Sequence, residues 1–194
     1  MTKKLTLAIA LLALLSVATA FAQEEAAGAT KEAGWFDWDA GTLALIGVGV
    51  AVVLAGFGSA IGIGIAANMS IGAMHEHPGL FPQFLLLSAL PGTQGIYGFV
   101  AGFLIILWTG LLNDPTALAS LTPIQGWHFL FAGLPVGLAG LVSGIHQGKV
   151  CAAGIGLVVR DKANVAKAMT LAAFIEFYAI LGLLASVLIL LSIK

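Results

Sequence analysis

Glu176 is the residue of this sequence best placed to do chemistry. It is the only acidic residue well inside a long apolar run. An ionised side chain at such a depth costs about 2.5–3.5 kcal/mol on insertion scales. A carboxylate kept there is a functional-site hypothesis by default. Two blander readings compete with it. Glu176 could be a neutral, protonated acid hydrogen-bonded in a packed bundle, or half of a buried ion pair with Lys149. Lys149 follows Gln147 by two positions, roughly 200° round a helix. It is expected to leave Gln147's face and snorkel to an interface.

Polar partners stand in two other apolar runs. Thr93, Gln94 and Tyr97 sit at i, i+1 and i+4, on one face of a helix. Pro91 just before them removes a backbone donor and loosens the preceding carbonyls. Gln147 is the third element's contribution. At about 1.5 Å per residue, Gln147 lies roughly 30 Å from Trp127, Glu176 roughly 27 Å from Lys194 and Gln94 roughly 27 Å from Leu112. One level of the bundle can therefore hold all three groups. A single carboxylate among neutral oxygens suits a small, hard, monovalent cation. A divalent ion would be undercompensated, and a proton alone would not require so many oxygens. The competing reading of Thr93 and Gln94 is interhelical hydrogen bonding that only glues helices. His75, His77, His128 and His146 show no clustering with other metal-binding types.

These groups must be held by membrane-spanning helices. The chain is 60% hydrophobic and 9% charged, against roughly 25% charged in soluble domains. Lipid is therefore its solvent, and a net charge of -1 argues against a nucleic-acid partner. Four apolar spans run over about residues 42–67, 84–112, 127–159 and 168–193. Each exceeds the roughly 20 residues a helix needs to cross the hydrocarbon core. Helix is the viable choice, because open strands leave backbone groups unsatisfied in lipid. The single cysteine, Cys151, excludes an internal disulfide and reads as a small packing residue.

The N-terminus carries Lys3 and Lys4, an apolar run from Leu5 to Val17, and Ala20-Phe21-Ala22 before Gln23. This pattern predicts a removed signal peptide over residues 1–22. A polar, acidic external tail follows over residues 23–41. The loop between spans three and four holds Arg160, Lys162 and Lys167, while the loop between spans two and three holds no basic residue. The positive-inside rule then puts the first and third loops in the cytoplasm and the mature N-terminus outside. Trp35, Trp38, Trp108 and Trp127 fall near the outer face as an interfacial belt.

The spans form two hairpins, residues 42–113 and 126–194, that repeat one another. Ala55, Gly56, Ser59, Ile61 and Gly64 recur as Ala139, Gly140, Ser143, Ile145 and Gly148, a constant offset of 84 (139 minus 55). Ile96 and Gly98 recur as Ile180 and Gly182 at the same offset. A gapless offset over a whole hairpin points to duplication and fusion. Both copies start on the same side, so the repeats are parallel, as a ring of hairpins needs. Gly92 occupies the slot of Glu176, so one copy lacks the carboxylate. Small residues every four positions, Gly58 and Gly62, then Gly140, Gly144, Gly148, Ala152 and Gly156, allow close backbone approach. They fit either simple helix pairing or the inner layer of a ring.

Three motifs carry a family resemblance: LPGTQGIYGF at Leu90–Phe99, SGIHQGKVCAAGI at Ser143–Ile155 and IEFYAILG at Ile175–Gly182. With them the chain resembles the proteolipid rotor-ring subunits (subunit K, c-type) of V-type sodium- or proton-translocating ATPases, from about residue 40 to the C-terminus. The resemblance implies an all-α membrane protein that assembles into a homo-oligomeric rotor ring in the cell (inner) membrane. That ring would turn against a stator membrane subunit and bind central-stalk subunits. It implies a sodium ion, alternatively a proton, as the carried species. The carbonyl of Leu90 and the side chains of Thr93, Gln94, Gln147 and Glu176 would hold the ion, with Tyr97 hydrogen-bonded to the carboxylate. No GxxxxGK[ST] stretch is present, so ATP chemistry belongs to partners and the chain itself is not an enzyme. The rivals are a stand-alone secondary ion transporter or channel, and a structural proteolipid. The departure is the N-terminal extension, which looks like that of some single-hairpin bacterial rotor subunits.

Overall fold

The computed structural model describes residues 38–193. The expected signal peptide and residues 23–37 of the tail lie outside them. Among the described residues the regular structure is helical. It comprises α1 (Ala40–Met74), α2 (Phe81–Ala89), α3 (Thr93–Thr109), α4 (Pro123–Arg160) and α5 (Val165–Ser192). A 3₁₀ turn, Leu90–Gly92, joins α2 to α3, so the second span is one broken rod. Among the described residues four segments are long and apolar enough to cross a membrane.

Local chemistry sets the ends. Asp39 caps α1, accepting from the Thr42 N–H at 3.0 Å. α3 stops at Gly110, whose φ of 78° is the left-handed conformation open to glycine. α4 opens on a Thr122/Gln125 capping box with Pro123 in its first turn, where the missing N–H costs nothing. In the loop between these helices Thr116 donates its N–H and hydroxyl to Asp114, which holds that carboxyl below its ordinary range. The helices outrun the expected spans. α1 continues past Ala67 through Asn68 and Ser70 to Met74, because helix does not stop where hydrophobicity does.

α1 and α4 form the central pair, with α3 packed on α1 and α5 on α4. The small-residue stripe is spent on this intrachain contact. A Cβ added to Gly144 would stand 2.6 Å from the Gly58 carbonyl carbon, and one on Gly140 would stand 2.7 Å from Ala55 Cβ. Gly62 and Gly148 likewise meet backbone to backbone. Such approach is what small residues permit between helices in lipid.

Three apolar clusters stack along the bundle. One holds Ala44, Ile105, Phe129 and Leu190. A second holds Ala51, Ala101 and Val136, with Tyr97 and Leu183 against it. The third holds Phe84, Leu87, Cys151, Ile155 and Ala172. The polar residues of the expected site fall between the second and the third. The start of α4 touches the start of α1, since a Cβ on Gly126 would meet Ala40 Cα at 2.7 Å. Trp38, Trp108 and Trp127 are exposed at that end. Arg160, Lys162 and Lys167 are exposed at the other.

Candidate ion-binding site

The break in the second span builds one wall. Pro91 cannot donate, and the chain tightens into a 3₁₀ turn in which the Leu90 carbonyl accepts from the Thr93 N–H. The Thr93 hydroxyl donates to the same carbonyl at 3.1 Å. The Gly95 N–H turns to Ser59 Oγ on α1, at 2.7 Å. Ser59 carries no sequence signal for the site. A hydroxyl in a glycine-rich run reads as a small packing group, and only its recurrence as Ser143 marks the position.

Across from this wall, Gln94, Gln147, Glu176 and Tyr97 make one chain of hydrogen bonds from three helices. Gln94 Nε2 donates to Gln147 Oε1 at 2.6 Å. Gln147 Nε2 donates to the Ala172 carbonyl at 3.1 Å and, more weakly, to Glu176 Oε2 at 3.4 Å. Tyr97 Oη donates to the other carboxyl oxygen, Glu176 Oε1, at 2.7 Å. Leu90 joins this chain through Thr93, whose hydroxyl bonds the Leu90 carbonyl and also interacts with the Tyr97 side chain.

Gln94 and Gln147 are both 0% exposed, so each unpaired polar atom there carries its full desolvation cost. One such atom exists: Gln94 Oε1 is buried and without a partner. Gln147 satisfies both ends of its amide. An orphaned acceptor on an amide linked through Gln147 to a carboxylate is a feature a cation can relieve. Lys149 and His146 are exposed, and neither is among the hydrogen-bond donors to Glu176, which are Tyr97 and Gln147. Among the described residues no group of three or more His, Cys, Asp or Glu side chains gathers, so the donor set is oxygen-rich and singly charged.

The first hairpin's copy of this site is apolar. Ile63 holds the slot of Gln147, as Gly92 holds that of Glu176. A Cβ on Gly92 would meet Ile63 Cδ1 at 3.4 Å, where the second hairpin sets an amide beside a carboxylate.

Fold and site together define a membrane proteolipid made of a duplicated helical hairpin, with one half-buried carboxylate, Glu176, in its second hairpin. The ATP synthase subunit-C family model matches residues 46–105 and 130–189. The starts of the two matches differ by 84 (130 minus 46), the offset of the internal repeat. V-type sodium ATPase subunit K of Enterococcus hirae is 40% identical over 149 residues, covering 77% of this chain and 90% of that protein. A-type ATP synthase subunit K of Methanocaldococcus jannaschii is 38% identical over 151 residues, covering 78% of this chain and 63% of that protein. The ATP synthase c-subunit of Clostridium beijerinckii is 36% identical over 69 residues, which are 34% of this chain but 96% of that one. The chain belongs to the ATP synthase subunit-C family. It is a multi-pass membrane protein and a non-catalytic subunit.

Proposed function

We propose that this chain is the rotor proteolipid of a V-type or A-type ATPase, and that it carries sodium ions on Glu176. Copies form a ring in the cell membrane. The ring turns against a stator membrane subunit and is held by central-stalk subunits. Leu90, Thr93, Gln94 and Gln147 supply neutral oxygens around the Glu176 carboxylate. Tyr97 holds that carboxylate in place while the ion is bound. At the stator the ion leaves, and it is replaced before the ring has turned back into lipid. The mature N-terminus lies outside, after removal of residues 1–22, which leaves the basic loop at Arg160–Lys167 in the cytoplasm.

The observation that carries the sodium reading is the buried, partnerless Gln94 Oε1, on an amide linked through Gln147 to a carboxylate that already takes two donors. A proton on Glu176 would leave that oxygen unsatisfied. The name of the Enterococcus hirae relative, a sodium ATPase subunit, points the same way.

Carbodiimide labelling tests it. The reagent attacks the protonated acid, and a bound cation keeps the acid ionised. Glu176 is expected to be the residue labelled, and sodium is expected to slow the labelling near neutral pH. Labelling that sodium leaves unchanged at every pH makes the site proton-only and the oxygens packing groups. In the assembled complex Glu176→Gln is expected to abolish translocation while leaving the ring intact. A native mass of a single copy would favour the stand-alone transporter instead.

A further inference from the structure

α3 begins without a cap of its own. The first N–H groups of a helix have no partner inside it, and an N-cap side chain commonly takes the one at the second or third position. The N-cap of α3 is Gly92, which has no side chain to offer. The third N–H after it belongs to Gly95 and donates to Ser59 Oγ of α1 at 2.7 Å. A serine from a different helix thus fills the cap position. The approach needs glycine at 95, since an added Cβ would stand 3.2 Å from that hydroxyl oxygen.

The second hairpin holds the same serine unused. Pro91, Gly92 and Gly95 recur as Ile175, Glu176 and Ala179, and Ser59 recurs as Ser143. α5 runs through that level as unbroken helix, so the Ala179 N–H keeps its partner within α5. Ser143 is as buried as Ser59, 4% against 6% exposed, yet its hydroxyl has no partner among the described residues. The bond goes with the broken helix, not with the serine.

We infer that Ser59 is a positioning residue of the ion site: it holds the break at Leu90–Gly92 open and thereby fixes the Leu90 carbonyl and the Thr93 and Gln94 side chains for the cation. This rests on the sodium reading and adds a residue to it. Without Ser59 the Gly95 N–H falls back on the Pro91 carbonyl, four residues earlier. Taking that bond winds the 3₁₀ turn into regular α-helix. The Leu90 carbonyl then accepts from the Gln94 N–H in the α-helical pattern, instead of from the Thr93 N–H as it does now. That carbonyl is drawn into the helix ladder, and the Gln94 side chain turns with its backbone. Ser59 does not itself bond the carboxylate, whose donors are Tyr97 and Gln147. Its effect therefore falls on cation affinity and leaves the acid's own partners in place.

Alanine variants of the two serine slots test this in native membranes. The measurement is the sodium concentration that half-protects Glu176 from carbodiimide. Ser59→Ala is expected to raise it roughly threefold or more, as loss of a helix cap would, while the labelling rate without sodium stays at the parent's. Ser143→Ala should change neither. Gly95→Ala crowds the same hydroxyl and is expected to raise the midpoint as well. Combined with Ser59→Ala it should add nothing further, because both remove one bond. Two merely structural lesions would add, and would also change the rate without sodium. A Ser59→Ala midpoint equal to the parent's, an equal rise in Ser143→Ala, or additive effects overturn the role of Ser59 and leave the sodium reading standing. Should Ser59→Ala fail to assemble, Gly95→Ala decides alone, and a parent midpoint there overturns the role. A parent that sodium does not protect overturns both.

Discussion

Tyr97 and Glu176 come from different hairpins, and the phenol donates to the carboxyl oxygen at 2.7 Å. The duplicated halves are therefore tied together at the level where only one of them carries the acid, since the first hairpin offers Gly92 where the second has Glu176. The first half contributes the Tyr97 hydroxyl and a broken helix, the second the Glu176 acid and the Gln147 amide.

Tyr97→Phe removes this donor and little volume. Hydrogen bonds to charged groups contribute about 1.5–3 kcal/mol, so sodium binding is expected to weaken roughly tenfold or more. The sodium concentration giving half-protection of Glu176 from carbodiimide measures it. A midpoint equal to the parent's would show that the phenol does not hold the ionised acid.

Gln94 and Gln147 should behave as one unit. Gln147→Ala strands Gln94 Nε2, which bonds it now, while the Ala172 carbonyl keeps its helical partner; leaving a buried group unpaired costs about 1–3 kcal/mol. A double-mutant cycle on ion affinity with Gln94→Ala is expected to show a coupling of about 0.5–3 kcal/mol. Strict additivity would mean that the 2.6 Å contact carries no shared function.

Gly62→Val tests the central pair. Its Cβ would meet the Gly144 carbonyl and stand 2.8 Å from Pro91 Cβ. Overpacking of this kind costs about 1–3 kcal/mol, and backbone on the far side cannot yield. The thermal midpoint of the detergent-solubilised chain should fall clearly below the parent's. An unchanged midpoint would show that α1 and α4 can part at this level without loss.

Processing is checked by intact mass. Ala20-Phe21-Ala22 before Gln23 predicts a mature chain starting at or near Gln23. A mass that includes Met1 would mean a retained N-terminal segment.

The helical framework was legible because lipid leaves few options. Long apolar runs become helices, and polar residues within them are rare enough to be grouped by depth alone. Gln94, Tyr97, Gln147 and Glu176, grouped that way, are joined by hydrogen bonds in the structure. Orientation within the group was not legible. Thr93 turns its hydroxyl back on Leu90, and the Gly95 N–H finds Ser59, because the 3₁₀ turn at Pro91 shifts which donors are left over. Apolar runs mark the membrane rather than the helix, so Asn68 and Ser70 break the run while α1 continues through them to Met74. Pro135 does not end its helix either, and α4 accommodates it.

If Glu176 is the carrier, the pairing of Ile63 with Gly92 sets a gearing. In the proposed ring, cargo per revolution is counted in chains, while girth is counted in hairpins. A fused chain with one silent half moves half as many ions per turn as an equal ring of single, fully charged hairpins. For a given nucleotide consumption per revolution, each ion then receives twice the free energy. Such a rotor gives up volume for pressure and can drive its ion against a steeper gradient, and the change rests on one side chain missing opposite Ile63.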